Sequence, residues 1–267
     1  MYFFRIKTTY MPESPEVREY YNFVKTSLLN KKIKNIEILS GKYEKTPPEN
    51  WNCLEKRLSD KNKVIDIVVK GKTIFIEIRC KDKSIWLSFT HGMTGYWDTE
   101  NIKHSRILFS IENNLEIYYN DTRNFGKMNI YVNKIDYINA ISHLGPDVLD
   151  ENLTYDQFYS RINNKPRSKI GAVLLDQKLI AGIGNYMRCD ILWYAKLHYT
   201  RTIGSLTEKE RLDLYNAVKV LTFHYLNYNE DDDDYCLVYY KENDTYGNKV
   251  NRTKWLGRTI HYVEWEI

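Results

Sequence analysis

The chain has 267 residues, 43% hydrophobic and 28% charged, with 39 basic against 35 acidic side chains and a net charge of +4. That length suits two domains with a substantial core, the composition excludes a disordered chain, and the charge is too mild to require a nucleic-acid partner by itself. Cysteines at 53, 80, 189 and 236 are too far apart for a CxxC pair, which excludes a zinc ribbon and disfavours a disulfide framework; no apolar run approaches the ~20 residues of a membrane span.

Residues 1–10 carry no apolar stretch of the secretory kind. The first helix is announced by Ser14-Pro15-Glu16: Ser14 can cap, Pro15 suits the first helical position, and Glu16 suits the positive end of the dipole. Val17, Tyr20, Tyr21, Val24 and Leu28 then recur at helical spacing. From about 33 to 132 the period becomes two, predicting strands at 33–39, 64–70, 73–79, 84–89, 106–111, 115–119 and 127–132. Short strands separated by Gly, Asn and Asp turns read as a β-sandwich or barrel. Leu144-Gly145-Pro146-Asp147 closes a short helix and reads as a linker. Helices are predicted at 155–162, 170–175, 185–194 and 208–227, followed by an acidic, solvated loop at 230–234. Residues 237–267 return to alternating, aromatic-rich strand patterns. The expected fold is multidomain α+β: an N-terminal β domain, a helical domain and a C-terminal β-hairpin.

Five stretches could carry chemistry. In Met11-Pro12-Glu13-Ser14-Pro15-Glu16, a chain beginning at Met11 and then losing it would expose Pro12 as a secondary amine. Free α-amines have a pKa near ~8, so a useful fraction is neutral at pH 7. A secondary amine that attacks a sugar C1′ gives an iminium that cannot discharge at nitrogen, and a neighbouring carboxylate such as Glu13 can move the ring-opening proton. The same residues also make an ordinary Pro-rich helix start. Gly71-Lys72-Thr73 imitates the end of a phosphate loop, but Asp66 stands where its first glycine belongs. Lys72 is thus either a solvated turn lysine or one aimed at a phosphate or sugar.

The turns Gly92-Met93-Thr94-Gly95 and Asp121-Thr122-Arg123-Asn124-Phe125-Gly126 each follow a strand; their Met, Arg and Phe could wedge into a base stack or simply pack. His91 reads as a hydrogen-bonded histidine rather than a metal ligand. Residues 161–169, ending at Lys169, hold four basic side chains and no acid, and Gly182-Ile183-Gly184-Asn185 opens a helix, whose backbone amides and Asn side chain suit a phosphate. Residues 249–258 again hold four basic side chains and no acid, around Trp255, as a groove-binding hairpin or a solvated edge would.

Together these stretches resemble the formamidopyrimidine-DNA glycosylase/endonuclease VIII (Fpg/Nei) family, in order from Met11 over nearly the whole chain. Met11–Val17 is similar to its amino-terminal motif, Gly71-Lys72 to its hairpin lysine, Gly92–Gly95 to its GMSG turn, and Asp121–Gly126 to its DPRRFG loop. Leu144–Asp147 is similar to its linker, and 174–185 with Trp193 to its helix–two-turn–helix core. The resemblance implies that Pro12 is the Schiff-base nucleophile, Glu13 the proton shuttle, Glu16 a supporting acid, and Lys72 a phosphate and sugar contact. It implies that Met93, Arg123 and Phe125 fill the hole left by a flipped nucleotide, and that Asn185 and Arg258 hold phosphates; Lys169 is expected to bind DNA from the charge of its own basic run. No metal or organic cofactor is implied; damaged double- or single-stranded DNA is the implied partner, with no membrane, and the protein is expected to act as a monomer.

Three departures matter. The family's usual finger places four cysteines on zinc, whereas 237–267 contains none yet keeps Gly257-Arg258-Thr259; this resembles the zincless finger of endonuclease VIII-like 1 and the giant-virus Nei-like enzymes. Residues 225–237 are short and acidic and lack the loop that caps 8-oxoguanine, so oxidised pyrimidines, formamidopyrimidines and hydantoins are the expected substrates. Ten residues precede Met11, and while they remain Pro12 is an amide; Met11 is the expected true start. The expected domains are a leader or misassigned start at 1–11, an N-terminal β-sandwich catalytic domain at 12–145, a helix–two-turn–helix domain at 146–236 and a zincless-finger hairpin at 237–267. The expected activity is bifunctional: glycosylase and AP lyase with β,δ-elimination. The alternative is a damaged-DNA-binding module of the same fold without chemistry. A metal-dependent nuclease is disfavoured because no compact carboxylate/His cluster is visible.

Overall fold

The computed structural model describes residues 11–58, 61–228 and 232–265, so the expected leader at 1–10 and the first part of the acidic run lie outside the described residues. The described chain forms two units, one of residues 11–12 and 16–143, the other of 13–15 and 144–265.

The first unit is built on two antiparallel sheets. β1 (Ile33–Ile38), β6 (Ser105–Ile111), β7 (Glu116–Asp121) and β5 (Gly95–Asp98) form one, in the order β1-β6-β7-β5. β2 (Asn62–Lys70), β3 (Thr73–Cys80), β4 (Lys83–Thr90) and β8 (Lys127–Tyr131) form the other, in the order β2-β3-β4-β8. Alternation decides which face turns inward: Ile74, Ile76 and Ile78 of β3 and Ile85, Leu87 and Phe89 of β4 are all fully buried. They share one core with Ile107 and Phe109 of β6 and Trp97 of β5. The Phe89 ring meets Trp97 at 4.8 Å and Phe109 at 6.0 Å, so the two inner faces touch as in a sandwich. Helix α1 (Ser14–Leu28) adds Val17, Val24 and Leu28 to that core, each burial contributing about 1.5–3 kcal/mol. Helix α4 (Lys134–Ser142) covers the outer face, its Tyr137 stacked on Trp86 at 5.3 Å.

All seven predicted strands are present, each end within two residues of its expected place. The reading missed β5, which is only four residues long, and two short helices, α2 (Lys42–Lys45) and α3 (Trp51–Arg57). These segments are too short for a period to show. Ser14 is the first helical residue rather than a side-chain cap: its hydroxyl donates to Met187 Sδ at 3.7 Å.

The second unit holds α5 (Tyr155–Ile162), α6 (Ile170–Val173), α7 (Asn185–Tyr194) and α8 (Glu208–Asn227), then a hairpin of β9 (Asn251–Trp255) and β10 (Arg258–Tyr262). Thr154 with Gln157, and Thr207 with Glu210, form capping boxes that set the starts of α5 and α8. In α7 every residue from Asn185 to Trp193 is buried, so this helix is enclosed on all sides. Strand structure does not extend through 237–250 as expected. There, carboxylates take the amides a ladder would need: Asp190 accepts from the N–H groups of Leu237, Val238 and Tyr239, and Asp244 from those of Tyr246 and Asn248.

The hairpin turn places Leu256 and Gly257 both at positive φ, 49° and 74°. Such a two-residue turn favours Asn-Gly, and a branched residue there costs about 1 kcal/mol. Leu256 is 65% exposed. Leu256→Asn is therefore expected to raise the thermal midpoint by about 2–4 °C. A lower midpoint would mean that the leucine contributes packing that outweighs its backbone cost.

Candidate functional site

The acid beside the candidate nucleophile has an unusual environment. Glu13 is fully buried in the second unit. Its Oε2 accepts from Gly184 N at 2.7 Å and Met187 N at 3.2 Å, and its Oε1 from Tyr186 N at 2.9 Å. These amides belong to the first turn of α7, where N–H groups lack helical partners and the dipole is positive. The anion held at this helix start is the protein's own carboxylate. The backbone cradle that the sequence suggested for a phosphate is thus taken by Glu13. Gly184 makes the approach possible, since a Cβ there would lie 2.2 Å from Glu13 Cδ. Gly182, at φ +113°, turns the chain next to Ser14, whose N–H donates to its carbonyl at 3.2 Å.

Asn185, the first residue of α7, is 5% exposed. Its Nδ2 donates to Thr259 O at 2.8 Å and Tyr239 Oη at 3.2 Å. Its Oδ1 accepts from Arg188 Nη2, so the amide orientation is set by a buried guanidinium. Arg188 has no exposed surface, donates also to Gly171 O at 3.3 Å, and lies over the Trp255 ring. Asn185 is thereby joined to the hairpin one residue from Arg258, which is exposed at the start of β10. Lys169 is exposed immediately before α6, bridged through its backbone to Thr202. Asp190 accepts from Tyr225 Oη at 2.6 Å as well as from the three amides named above, tying 237–239 to α7. Burial pushes its carboxyl above the ordinary range despite those donors.

Pro12, Glu16, Lys72, Met93, Arg123 and Phe125 lie in the first unit. Pro12 and Glu16 are buried. Lys72 sits with Gly71 in the two-residue turn between β2 and β3, where Lys70 pairs with Thr73 and Gly71 has φ 55°. Behind this turn, His91 is buried and accepts from Trp97 Nε1 at 3.2 Å. Burial pushes its imidazole down to about 3, against a backbone hydrogen bond to Lys72, so the ring is neutral at physiological pH.

The structure brings the two predicted wedge turns together. Thr94 Oγ1 donates to Asp121 Oδ1 at 2.6 Å and accepts from Arg123 N at 2.9 Å. Gly126 N donates to Asp121 Oδ2 at 2.7 Å. Phe125 is 53% exposed, with the Arg123 guanidinium 5.0 Å from its ring centre. Sequence reasoning passed over Thr94, Asp121, Arg188 and Asp190 as agents that fix these side chains. A signal existed for two of them: Arg188 and Asp190 are charges inside an otherwise apolar helix, where an ion is retained only if paired or hydrogen-bonded.

A four-thiolate zinc does not fit the C-terminal segment. Residues 237–267 hold no cysteine, and the sulfur of Cys189 accepts the His261 N–H at 3.4 Å.

Comparison with known proteins gives the family and the fold. Residues 11–128 match the model of the formamidopyrimidine-DNA glycosylase N-terminal domain, and 144–224 match that of the formamidopyrimidine-DNA glycosylase H2TH domain. A formamidopyrimidine-DNA glycosylase of Ligilactobacillus salivarius is 30% identical over 206 residues, covering 75% of this chain and 72% of that protein. One from Arabidopsis thaliana is 29% identical over 243 residues, covering 78% of this chain but only 56% of the relative. The Lactococcus lactis Fpg bound to DNA carrying an abasic site has the same fold, with a TM-score of 0.80 at 22% identity over 94% of this chain and 98% of that one.

Proposed function

The chain belongs to the formamidopyrimidine-DNA glycosylase family, and from that premise we propose that it is a bifunctional DNA glycosylase and AP lyase of base excision repair. The observation that carries the reading is Glu13: a buried carboxylate held by three backbone amides in the residue directly after Pro12. Three N–H donors shared between its two oxygens favour the anionic form, which is the one that can accept a proton, and its attachment to Pro12 keeps it next to the reacting amine in the chain.

In the proposed reaction the neutral Pro12 nitrogen attacks C1′ of the damaged nucleotide. The C1′–base bond breaks, its electron pair leaves with the base, and the amine proton passes to Glu13. Returned to O4′, that proton lets the C1′–O4′ bond break, and the nitrogen lone pair forms the iminium. Loss of a C2′ proton then expels the 3′ phosphate, and a further elimination expels the 5′ phosphate. Lys72 contacts a phosphate and the sugar, with Glu16 supporting the acid. Met93, Arg123 and Phe125 fill the space vacated by the flipped nucleotide. Arg258 and Lys169 hold phosphates, Asn185 joins them by exchanging its 3.2 Å bond to Tyr239 Oη for a phosphate oxygen, and the 237–267 segment serves as a finger without zinc. Oxidised pyrimidines, formamidopyrimidines and hydantoins are the proposed substrates.

The test uses duplex DNA carrying one oxidised pyrimidine, incubated with EDTA, and reads the product ends. A one-nucleotide gap with phosphate at both ends is expected. Binding without any cleavage would instead make this protein a damaged-DNA-binding module. Cleavage abolished by EDTA would make it a metal-dependent nuclease.

A further inference from the structure

Phe125 projects from a loop whose ends are well tied, but whose tip needs its own support. Asp121 and Thr94 secure the loop at Asp121, Arg123 and Gly126. At the tip, Asn124 adopts a left-handed conformation, φ 58°. Arg106 donates to Asp121 O at 2.8 Å and Thr122 O at 3.3 Å, and Asn124 N–H to Asp121 O at 3.3 Å; α2 adds support on both sides of Phe125. Lys42 Nζ donates to Asn124 O at 3.2 Å and to Gly126 O, so one ammonium clasps the carbonyls on either side of Phe125. An ammonium has three donors and no acceptor, which suits it to gather carbonyls that point the same way.

Lys42 is itself fixed. Its ammonium lies 5.1 Å from the centre of the Tyr43 ring. The Tyr43 hydroxyl accepts from Met128 N at 2.7 Å, on the strand that leaves the loop. Gly41, at φ +86°, lets α2 approach: a Cβ there would lie 2.9 Å from Asn124 Nδ2. Burial pushes the Lys42 amine below its ordinary range.

We propose that Lys42 is a positioning residue that holds Phe125 in wedge geometry, with α2 as a brace for the loop; this rests on the reading that Phe125 enters the base stack. An apolar wedge must keep its shape while it separates stacked bases. A backbone residue left free in the unbound protein must be ordered at that moment, at a cost in conformational entropy. The clasp orders it beforehand. Lys42 itself touches no DNA in this account.

The test compares single-turnover excision of one lesion in two settings: fully paired in a duplex, and already unpaired inside a bubble. The bubble needs no wedge. Lys42→Met keeps the stem and removes the ammonium. It is expected to slow the paired reaction about tenfold, as a modest misplacement of a positioning group does, and to leave the bubble reaction within about twofold. Lys42→Arg, which retains donors for both carbonyls, is expected to restore most of the paired rate. Lys42→Met added to Phe125→Ala is expected to cost nothing beyond Phe125→Ala alone. Equal slowing in both settings, or additive losses in the double variant, would overturn the proposal. So would a paired rate unchanged by Lys42→Met while Phe125→Ala is slow. If wild type excises from neither substrate, or Phe125→Ala is as fast as wild type on the paired one, the underlying reading falls and the proposal with it.

Discussion

Borohydride is expected to trap a covalent adduct with abasic-site DNA only when the chain begins at Pro12. The reason lies in the nitrogen. With residue 11 attached, the Pro12 nitrogen is an amide whose lone pair is delocalised into a carbonyl, and it cannot attack C1′. With residues 1–11 removed it is a secondary amine, and its adduct is an obligate iminium that hydride reduces. Protein begun at Met1 and protein begun at Met11, with intact mass checked for each, should therefore differ as none against full adduct. Pro12→Gly in the shorter form retains an amine but gives an imine that can lose its proton and with it the electron sink. That variant should lose most lyase activity while binding DNA normally, because the proposed phosphate contacts Asn185, Arg258 and Lys169 lie elsewhere in the sequence. Equal adducts from both forms would point to a lysine instead of Pro12. No adduct from either, with binding intact, would remove the catalytic reading.

Much of the site was legible as separate pieces. Pro12-Glu13 was read as an amine with its acid, and Gly182–Asn185 as a helix start fit for an anion. Both readings rest on local chemistry, which a sequence carries directly. Their junction is not local. Glu13 accepts from amides more than 170 positions away, and no period or spacing encodes that pairing. For the same reason the sequence alone points to a phosphate as the anion. Lys42 looked like any surface lysine, because only the folded loop presents two carbonyls to it. The strands and long helices were legible because burial on one face imposes a period. The stretch 237–250 broke that rule, since Asp190 and Asp244 draw its amides away from a ladder.

The Glu13 junction yields the other large effect, at Gly184. Its φ of −120° and ψ of −154° are extended, so alanine would meet little backbone strain. The obstacle is space. A Cβ would stand 2.2 Å from Glu13 Cδ, 2.3 Å from Oε1 and 2.6 Å from Cγ. Glu13 has no exposed surface to which it could retreat. Gly184→Ala must therefore push the carboxylate off α7, leaving buried N–H groups without an acceptor, at about 1–3 kcal/mol for such a group. With ~2–4 °C lost per kcal/mol in a protein of this size, a drop of about 2–12 °C in thermal midpoint is expected. Activity should fall further than stability implies: Pro12 is bonded to Glu13, and a shift of about 1 Å at a reacting group costs on the order of 10²-fold. Gly204→Ala is the milder comparison: its Cβ would stand 3.1 Å from Pro166 O, a tight contact but far from Glu13 in sequence, so it should lower the midpoint less and leave the rate of the folded protein unchanged. Gly184→Ala at wild-type rate would mean that the carboxylate's seat on α7 is irrelevant to the chemistry. Reduced rate on lesion DNA with wild-type affinity for undamaged duplex would place the loss at the Pro12–Glu13 pair rather than in the grip on phosphates.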